Sequence, residues 1–308
     1  MPATPAIGTR GSPLALWQAE HVRDRLAEHH GTERGAADLS VISTSGDRIL
    51  DAPLANFGGK GLFTKEIDEA LLRGDIALAV HSMKDLPTQL PEGLSLSAVL
   101  PRADVRDAFL SPVASSLEAL PEGSVVGTSS LRRGAQVKRA RPDLRVIDFR
   151  GNVQTRLRKL LEGVAHATLL AKAGLDRLEL SDAATSVLPI GDMLPAVAQG
   201  AIGVVTREHD AEMHDLLRPL NDAATEIAVS CERAFLSELD GSCRTPIAGL
   251  ATVDGEAIHF RGLILSPDGA EWHDVEMTGS VAEADALGRR AGEDVRRRAG
   301  PAFIDKLV

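Results

Sequence analysis

Cysteine is almost absent: Cys231 and Cys243 are the only two in 308 residues. They stand twelve positions apart, with no C-x-x-C and no clustered histidine, so no zinc site or other metal site is expected, and a lone disulfide would be unusual in a reducing compartment. A free thiol is the default for each. Aromatic residues make up 3% of the chain, too few for the stacking rows on which nucleic-acid strands are held. No apolar run is long enough to span a bilayer, and the opening stretch MPATPAIGTRGSPLALWQ offers no charged n-region followed by an apolar h-region. A soluble, cytoplasmic chain with no membrane partner is expected. Gly58-Gly59-Lys60-Gly61 lacks the G-x-x-x-x-G-K-[ST] spacing of a phosphate-binding loop. It reads either as a mobile lid carrying Lys60 or as a plain flexible connection.

What the chain does have is apolar content, 44%, and enough length to divide into two or three domains. Its charge is unevenly spread. Residues 131–159 carry ten Lys/Arg against two Asp/Glu, a local +8 in a chain of net −10, which leaves −18 for the remainder. A nucleic-acid footprint, a site for small anions and a solvated helix face are all compatible with such a cluster; the acidic total and the lone Phe149 within it favour small anions over nucleic acid.

Periodicity points to α/β organisation. IGTR reads as a strand, and Ser12 as N-cap with Pro13 behind it opens a helix through LALWQAEHVRDRLAEHH. Then come a strand ADLSVIST, a helix LFTKEIDEALLRG closed by Gly74, and an apolar strand DIALAVHS. The alternation continues through SVVGTS, SLRRGAQVKRA, LRVIDF, NVQTRLRKLLEG and ATLLAKAG, which argues for open, mostly parallel sheets. After residue 222 the rhythm changes to one helix, three strand-like runs around DGEA and SPDGA, and a final helix, the pattern of a separate small α+β domain.

In open α/β sheets ligands gather beyond the carboxyl ends of the strands. Four such ends carry Arg or Lys: Thr9-Arg10-Gly11-Ser12, His81-Ser82-Met83-Lys84-Asp85, Thr128-Ser129-Ser130-Leu131-Arg132-Arg133 and Arg150-Gly151-Asn152. Hydroxyls and unpaired N–H groups at helix starts, together with guanidinium forks, suit a polyanion; taken singly, each Arg is more often a surface residue and each Ser or Thr more often a cap. Asp85 is the odd acid among these cations. It is either an ion-pair partner of Lys84 or the group available for proton transfer and for stabilising a developing cation. Of the cysteines, Cys231 sits on an apolar helix, EIAVSCERAF, as an inert buried thiol. Cys243, between Gly241 and Pro246 and beside Arg244, has the setting of a reactive or modified thiol, with no Cys-His partner to make it a protease nucleophile.

The motifs GTRGSPLALWQ, GGKGLF, AVHSMKDLPT, DAFLS, VGTSSLRR, RGNVQTRL, LPAVAQGAIG and ERAFLSELDGSCRTPIA occur in that order from about Ile7 onward. With them the chain resembles the porphobilinogen deaminase (hydroxymethylbilane synthase) family. The resemblance implies two periplasmic-binding-protein-like domains with open mixed sheets plus a small C-terminal α+β domain. Domain 1 would take residues 1–104 and 197–221, domain 2, the basic lobe, residues 105–196, and domain 3 residues 222–308.

The resemblance also implies a transferase of tetrapyrrole (haem, chlorophyll, corrin) biosynthesis. Four porphobilinogen molecules would be deaminated through a positively charged azafulvene and joined to a dipyrromethane cofactor in thioether linkage to Cys243, and hydroxymethylbilane released. By motif position Asp85 would be catalytic and would also touch the cofactor. Lys84, Thr128, Ser130, Arg132, Arg133 and Arg156 would hold the cofactor's carboxylates, and Arg10, Ser12, Arg150 and Lys60 the substrate or elongating chain. A monomer is implied. Many relatives have a Lys four residues before Lys60; this chain has Asn56, so only Lys60 is carried over. A non-catalytic anion-binding protein would explain the strand-end arginines but not Asp85 or the Gly-Ser-Cys turn, and a nucleic-acid-binding module explains only the basic segment.

Overall fold

The computed structural model describes residues 5–33, 37–48, 61–239 and 245–305. Asn56, Lys60, Cys243 and Arg244 lie outside them. In chain order the elements begin with β1 (Ile7–Thr9), α1 (Pro13–His30), β2 (Leu39–Val41), α2 (Ser45–Arg48), α3 (Lys65–Arg73), β3 (Leu78–Ser82) and β4 (Leu94–Val99). β5 (Asp107–Leu110), β6 (Val125–Gly127), α4 (Leu131–Ala140), β7 (Arg145–Ile147), α5 (Val153–Leu161), β8 (Ala167–Ala171), α6 (Lys172–Arg177) and β9 (Ser186–Val187) follow. The rest is β10 (Ile202–Arg207), α7 (Ala211–Leu217), α8 (Ala223–Glu238), β11 (Ile247–Asp254), β12 (Ala257–Leu265), β13 (Trp272–Ser280), α9 (Ala284–Ala299) and α10 (Pro301–Ile304). The described residues divide into two compact units, one holding residues 5–33, 37–48 and 61–103 together with Gly200–Glu226, the other holding Asp104–Gln199 and the chain from Ile227.

The first unit is a five-stranded sheet of order β2-β1-β3-β10-β4, with α1 against it. α1 starts where its sequence says it should. Ser12 Oγ accepts the Ala15 N–H at 3.3 Å, Pro13 fills a first-turn position that needs no N–H, and Gly31 closes the helix in the left-handed region at φ 64°. Its Ala19, Val22 and Leu26 meet Ile7, Leu78, Val80 and Ile202 in one core, where each fully buried Val, Leu or Ile contributes roughly 1.5–3 kcal/mol. β1, β2 and β3 are parallel, whereas β10 runs antiparallel to both β3 and β4. The expectation of a mostly parallel sheet therefore fails on its second half: an apolar strand such as IGVVTR has the same composition in either direction, and only its distant partners fix which way it runs.

The second unit repeats this arrangement in the order β7-β6-β8-β5-β9, with β6 parallel to β7 and β8, and β5 antiparallel to β8 and β9. It also holds an antiparallel three-stranded sheet, β11-β12-β13, covered by α8 and α9. The Phe235 and Phe260 rings meet in that core, tilted 55° with centroids 4.9 Å apart, and α9 passes so close to α8 that a Cβ at Gly288 would sit 2.1 Å from the Cys231 carbonyl oxygen. ATLLAKAG does not stay extended to its end. The strand stops at Ala171, and KAGLDR turns into α6, where Lys172 and Asp176 pair one turn apart. The architecture is thus α/β with open mixed sheets and a small C-terminal sheet packed on helices.

One buried acid lies outside any proposed site. Asp68 on α3 is 4% exposed. Burial raises its carboxyl from 3.8 to about 6, the Thr64 hydroxyl opposing and Glu69 adding to the rise. The folded chain therefore binds more protons than the unfolded one between those values, and ionised Asp68 costs stability above pH 6. Asp68→Asn is expected to stabilise the protein by on the order of 2 kcal/mol at about pH 8, with the gain fading by about pH 4. Thermal melts at the two pH values check this, and an equal gain at both would contradict it.

Candidate active site

In the first unit a small pocket of ≈ 60 Å³ opens at the carboxyl ends of β1 and β3. Arg10, Ser12 and Asp85 line it, joined by Gln18, Phe63, His81 and Ser82. Three of the residues singled out in the sequence are thus brought together. Lys84 shares with Asp85 the short 3-10 turn Met83–Asp85 that leaves β3, a turn held by the Leu86 N–H to Met83 O bond at 3.2 Å. The Arg10 guanidinium lies over the Phe63 ring, 4.3 Å from its centroid, which braces a cation at the rim. Gln18 reaches across from α1 to Ser82, with Nε2 donating to Oγ at 2.9 Å. His81 is buried, and burial first, then the charge of Arg10, push its imidazole down to about 4, so the ring is neutral at pH 7. Asp85, half-buried, is the only carboxylate among the described residues that line the pocket.

In the second unit the loops after β6 and β7 carry the remaining polar groups. β6 ends at Gly127, where a Cβ would come 2.5 Å from the Phe149 ring, so only glycine lets the β7–α5 loop close down on the strand. Ser129 Oγ accepts the Phe149 N–H at 2.9 Å and ties the two loops together. Thr128 Oγ1 accepts from Ser130 N at 3.2 Å, and Ser130 Oγ accepts from Arg133 N at 3.4 Å, capping α4. Asn152 caps α5 through the Thr155 N–H at 2.8 Å. The Arg150 carbonyl accepts from Lys159 Nζ at 3.0 Å, and Arg156 is half-buried on α5.

Arg132 and Arg133 are not surface cations. They are 4% and 5% exposed, and both close on a carboxylate that the sequence reading had not placed. Asp107, fully buried, accepts from Arg133 Nη2 at 2.7 Å and Nε at 3.2 Å, and from Gln199 Nε2 at 2.9 Å. Arg132 Nη1 lies 2.8 Å from Asp107 Oδ2 and donates to the Leu194 carbonyl at 2.8 Å. Burial alone would raise the Asp107 carboxyl, but the two guanidiniums and their hydrogen bonds outweigh it and hold the group below the usual carboxylate range. Arg132 shows the converse: burial and the neighbouring Arg133 weaken its hold on its proton despite Asp107. Its Nε, buried, finds no hydrogen-bond partner among the described residues.

Cys231 is buried in the core between α8 and the three-stranded sheet, as expected for an inert thiol. Burial, then the charges of Glu232 and Asp285, lift it to about 12, far from reactivity at pH 7. Among the described residues no cluster of His, Cys, Asp and Glu could hold a metal ion, and no helix is long and apolar enough to cross a membrane.

Each unit is thus an α/β fold with polar groups after its parallel strands: Arg10, Ser12 and Asp85 in the first, and the Thr128–Arg133 and Arg150 loops in the second. A family model described as "Porphobilinogen deaminase, dipyromethane cofactor binding domain" matches residues 6–215, and a second, "Porphobilinogen deaminase, C-terminal domain", matches residues 226–297. The porphobilinogen deaminase, chloroplastic, of Oryza sativa subsp. japonica is 57% identical over 98% of this chain and 86% of its own length. The porphobilinogen deaminase of Nitrobacter hamburgensis is likewise 57% identical, over 97% of this chain and 94% of its own. The chain belongs to the porphobilinogen deaminase family. Among solved structures, a periplasmic substrate-binding protein of an ABC transporter from Coxiella burnetii overlaps 72% of this chain and 94% of its own at 14% identity and a TM-score of 0.43, a likeness on which nothing here rests.

Proposed function

We propose that the chain is a transferase that deaminates four porphobilinogen molecules and joins them head to tail on a dipyrromethane primer held by Cys243, and that water then cleaves the four-pyrrole chain from the primer, releasing hydroxymethylbilane for tetrapyrrole biosynthesis. The observation that carries this reading is the pair of family models covering residues 6–215 and 226–297, the first of them a dipyrromethane-binding domain. The donor set of the second unit fits such a group. Two nearly buried guanidiniums share one carboxylate, and the buried Nε of Arg132 has no hydrogen-bond partner among the described residues, so an acetate or propionate side chain has cations to meet.

When bound, the dipyrromethane group supplies the pyrrole carbon that takes each porphobilinogen unit in exchange for a proton. The chain's own residues do the rest. Lys84, Thr128, Ser130, Arg132, Arg133 and Arg156 hold the primer's carboxylates, and Arg10, Ser12, Arg150 and Lys60 hold the incoming substrate and growing chain. Capping uses Ser12 Oγ and Ser130 Oγ as acceptors, so each O–H still has a proton to donate to a carboxylate. Asp85 steadies the positive charge that develops on the substrate as its aminomethyl C–N bond breaks and ammonia departs, and it takes the proton that the accepting carbon gives up. Neutral His81 adds no positive charge to that of Arg10 beside that cation.

In this reading residues 1–104 and 197–221 form one domain, 105–196 a second and 222–308 a third, and the protein is a cytoplasmic monomer. The test is to mix purified protein with porphobilinogen and measure ammonia and hydroxymethylbilane. Release of both is expected, whereas binding without ammonia would make the chain a carrier of anions. Arg150→Ala is expected to leave a loaded enzyme that stalls with partly extended chains, seen as a ladder of adduct masses. A variant that instead fails to load would move Arg150 to the primer's group of ligands.

A further inference from the structure

Asp107 belongs to none of the roles assigned above, yet it sits at the centre of the most buried charge cluster described. Two guanidiniums converge on it, and among the described residues Asp107 is the one carboxylate that pairs with either of them. Both arginines are anchored on their far sides, Arg133 through Nη1 to the Leu169 carbonyl at 3.0 Å and Arg132 to the Leu194 carbonyl. The Leu194 carbonyl is shared with Gln136 Nε2 at 3.0 Å, and Gln136 Oε1 accepts the Leu194 N–H at 2.8 Å. Gln199 joins Asp107 to the Val105 carbonyl at 2.8 Å. The cluster is therefore rigid, and with two cations for one anion it holds a surplus positive charge in a place poor in water. Such a surplus destabilises a protein unless something anionic offsets it.

We propose that Asp107 is a positioning residue: it fixes Arg132 and Arg133 as a preformed pair with one uncompensated positive charge, and that surplus is kept for a carboxylate of the bound primer. The proposal rests on the functional reading above and extends it. A merely structural ion-pair cluster makes a different forecast, because there every member would stabilise the fold.

The experiment uses full-length protein made without its primer, in cells that cannot supply porphobilinogen, and reads two things: the melting temperature, and the rate at which porphobilinogen adds a two-pyrrole mass. Asp107→Asn keeps the shape and strands two buried cations, so it is expected to melt lower and to load about tenfold or more slowly, the scale of one misplaced charge-assisted hydrogen bond. Arg132→Met leaves Asp107 and Arg133 as a one-to-one pair, with Gln136 still serving the Leu194 carbonyl. It is expected to melt at or above the wild-type temperature while loading collapses. Loading of Asp107→Asn at the wild-type rate would overturn the positioning role, and so would an Arg132→Met protein that melts as low as Asp107→Asn. If the wild-type protein itself gains no mass, the functional reading fails; opposite shifts in melting temperature would then still uphold the surplus charge, and shifts of one sign would overturn it.

Discussion

Asp85→Asn is expected to lower porphobilinogen turnover by roughly two orders of magnitude or more, the scale of a lost acid–base or electrostatic group. Asparagine keeps the size and much of the hydrogen bonding, so the turn Met83–Asp85 and its Leu86 to Met83 bond survive. What disappears is the only carboxylate among the described residues lining a pocket that also holds Arg10 and a histidine kept neutral by burial. Nothing else described there can offset a cation or take up a proton as an anionic base. The comparison is made on protein shown by mass to be loaded, and near-normal turnover in that protein would remove Asp85 from the chemistry.

Cys243→Ser is expected to abolish turnover altogether and to yield protein of unmodified mass, because a hydroxyl cannot replace the thioether anchor. It also leaves the crowded arginines without their counter-charges, so the variant should melt below the loaded wild type. Cys231→Ser is the control. That side chain is 0% exposed within an apolar core, so a hydroxyl there costs about 1–3 kcal/mol of stability, while loading and turnover persist. A Cys231 variant that lost the adduct would reverse the assignment of the two thiols.

Local signals in the sequence were legible and distant ones were not. Ser12 and Ser130 act on N–H groups three positions away, and their caps could be read directly, whereas the Asn152 cap, equally local, was not singled out. The Arg10, Ser12 and Asp85 grouping was also legible, because open α/β sheets gather ligands at strand ends. Asp107 was not: Arg133 is 26 positions from it and Gln199 is 92, and nothing in DAFL says which cations will come. A charged residue opening a fully buried strand was the available sign. Gln18 was hidden for the same reason, since its partner Ser82 is 64 positions away. The direction of β10 depends on pairing with β3 and β4, which its own apolar run does not encode.

The most direct test is the mass of the intact purified protein under denaturing conditions. A thioether is covalent, so the account predicts one species heavier than the sequence by a single two-pyrrole unit, with digestion placing the extra mass on the peptide that contains LDGSCR and leaving Cys231 as a free thiol. Unmodified mass in protein that still converts porphobilinogen would contradict the assignment of Cys243 and, with it, the primer-based mechanism.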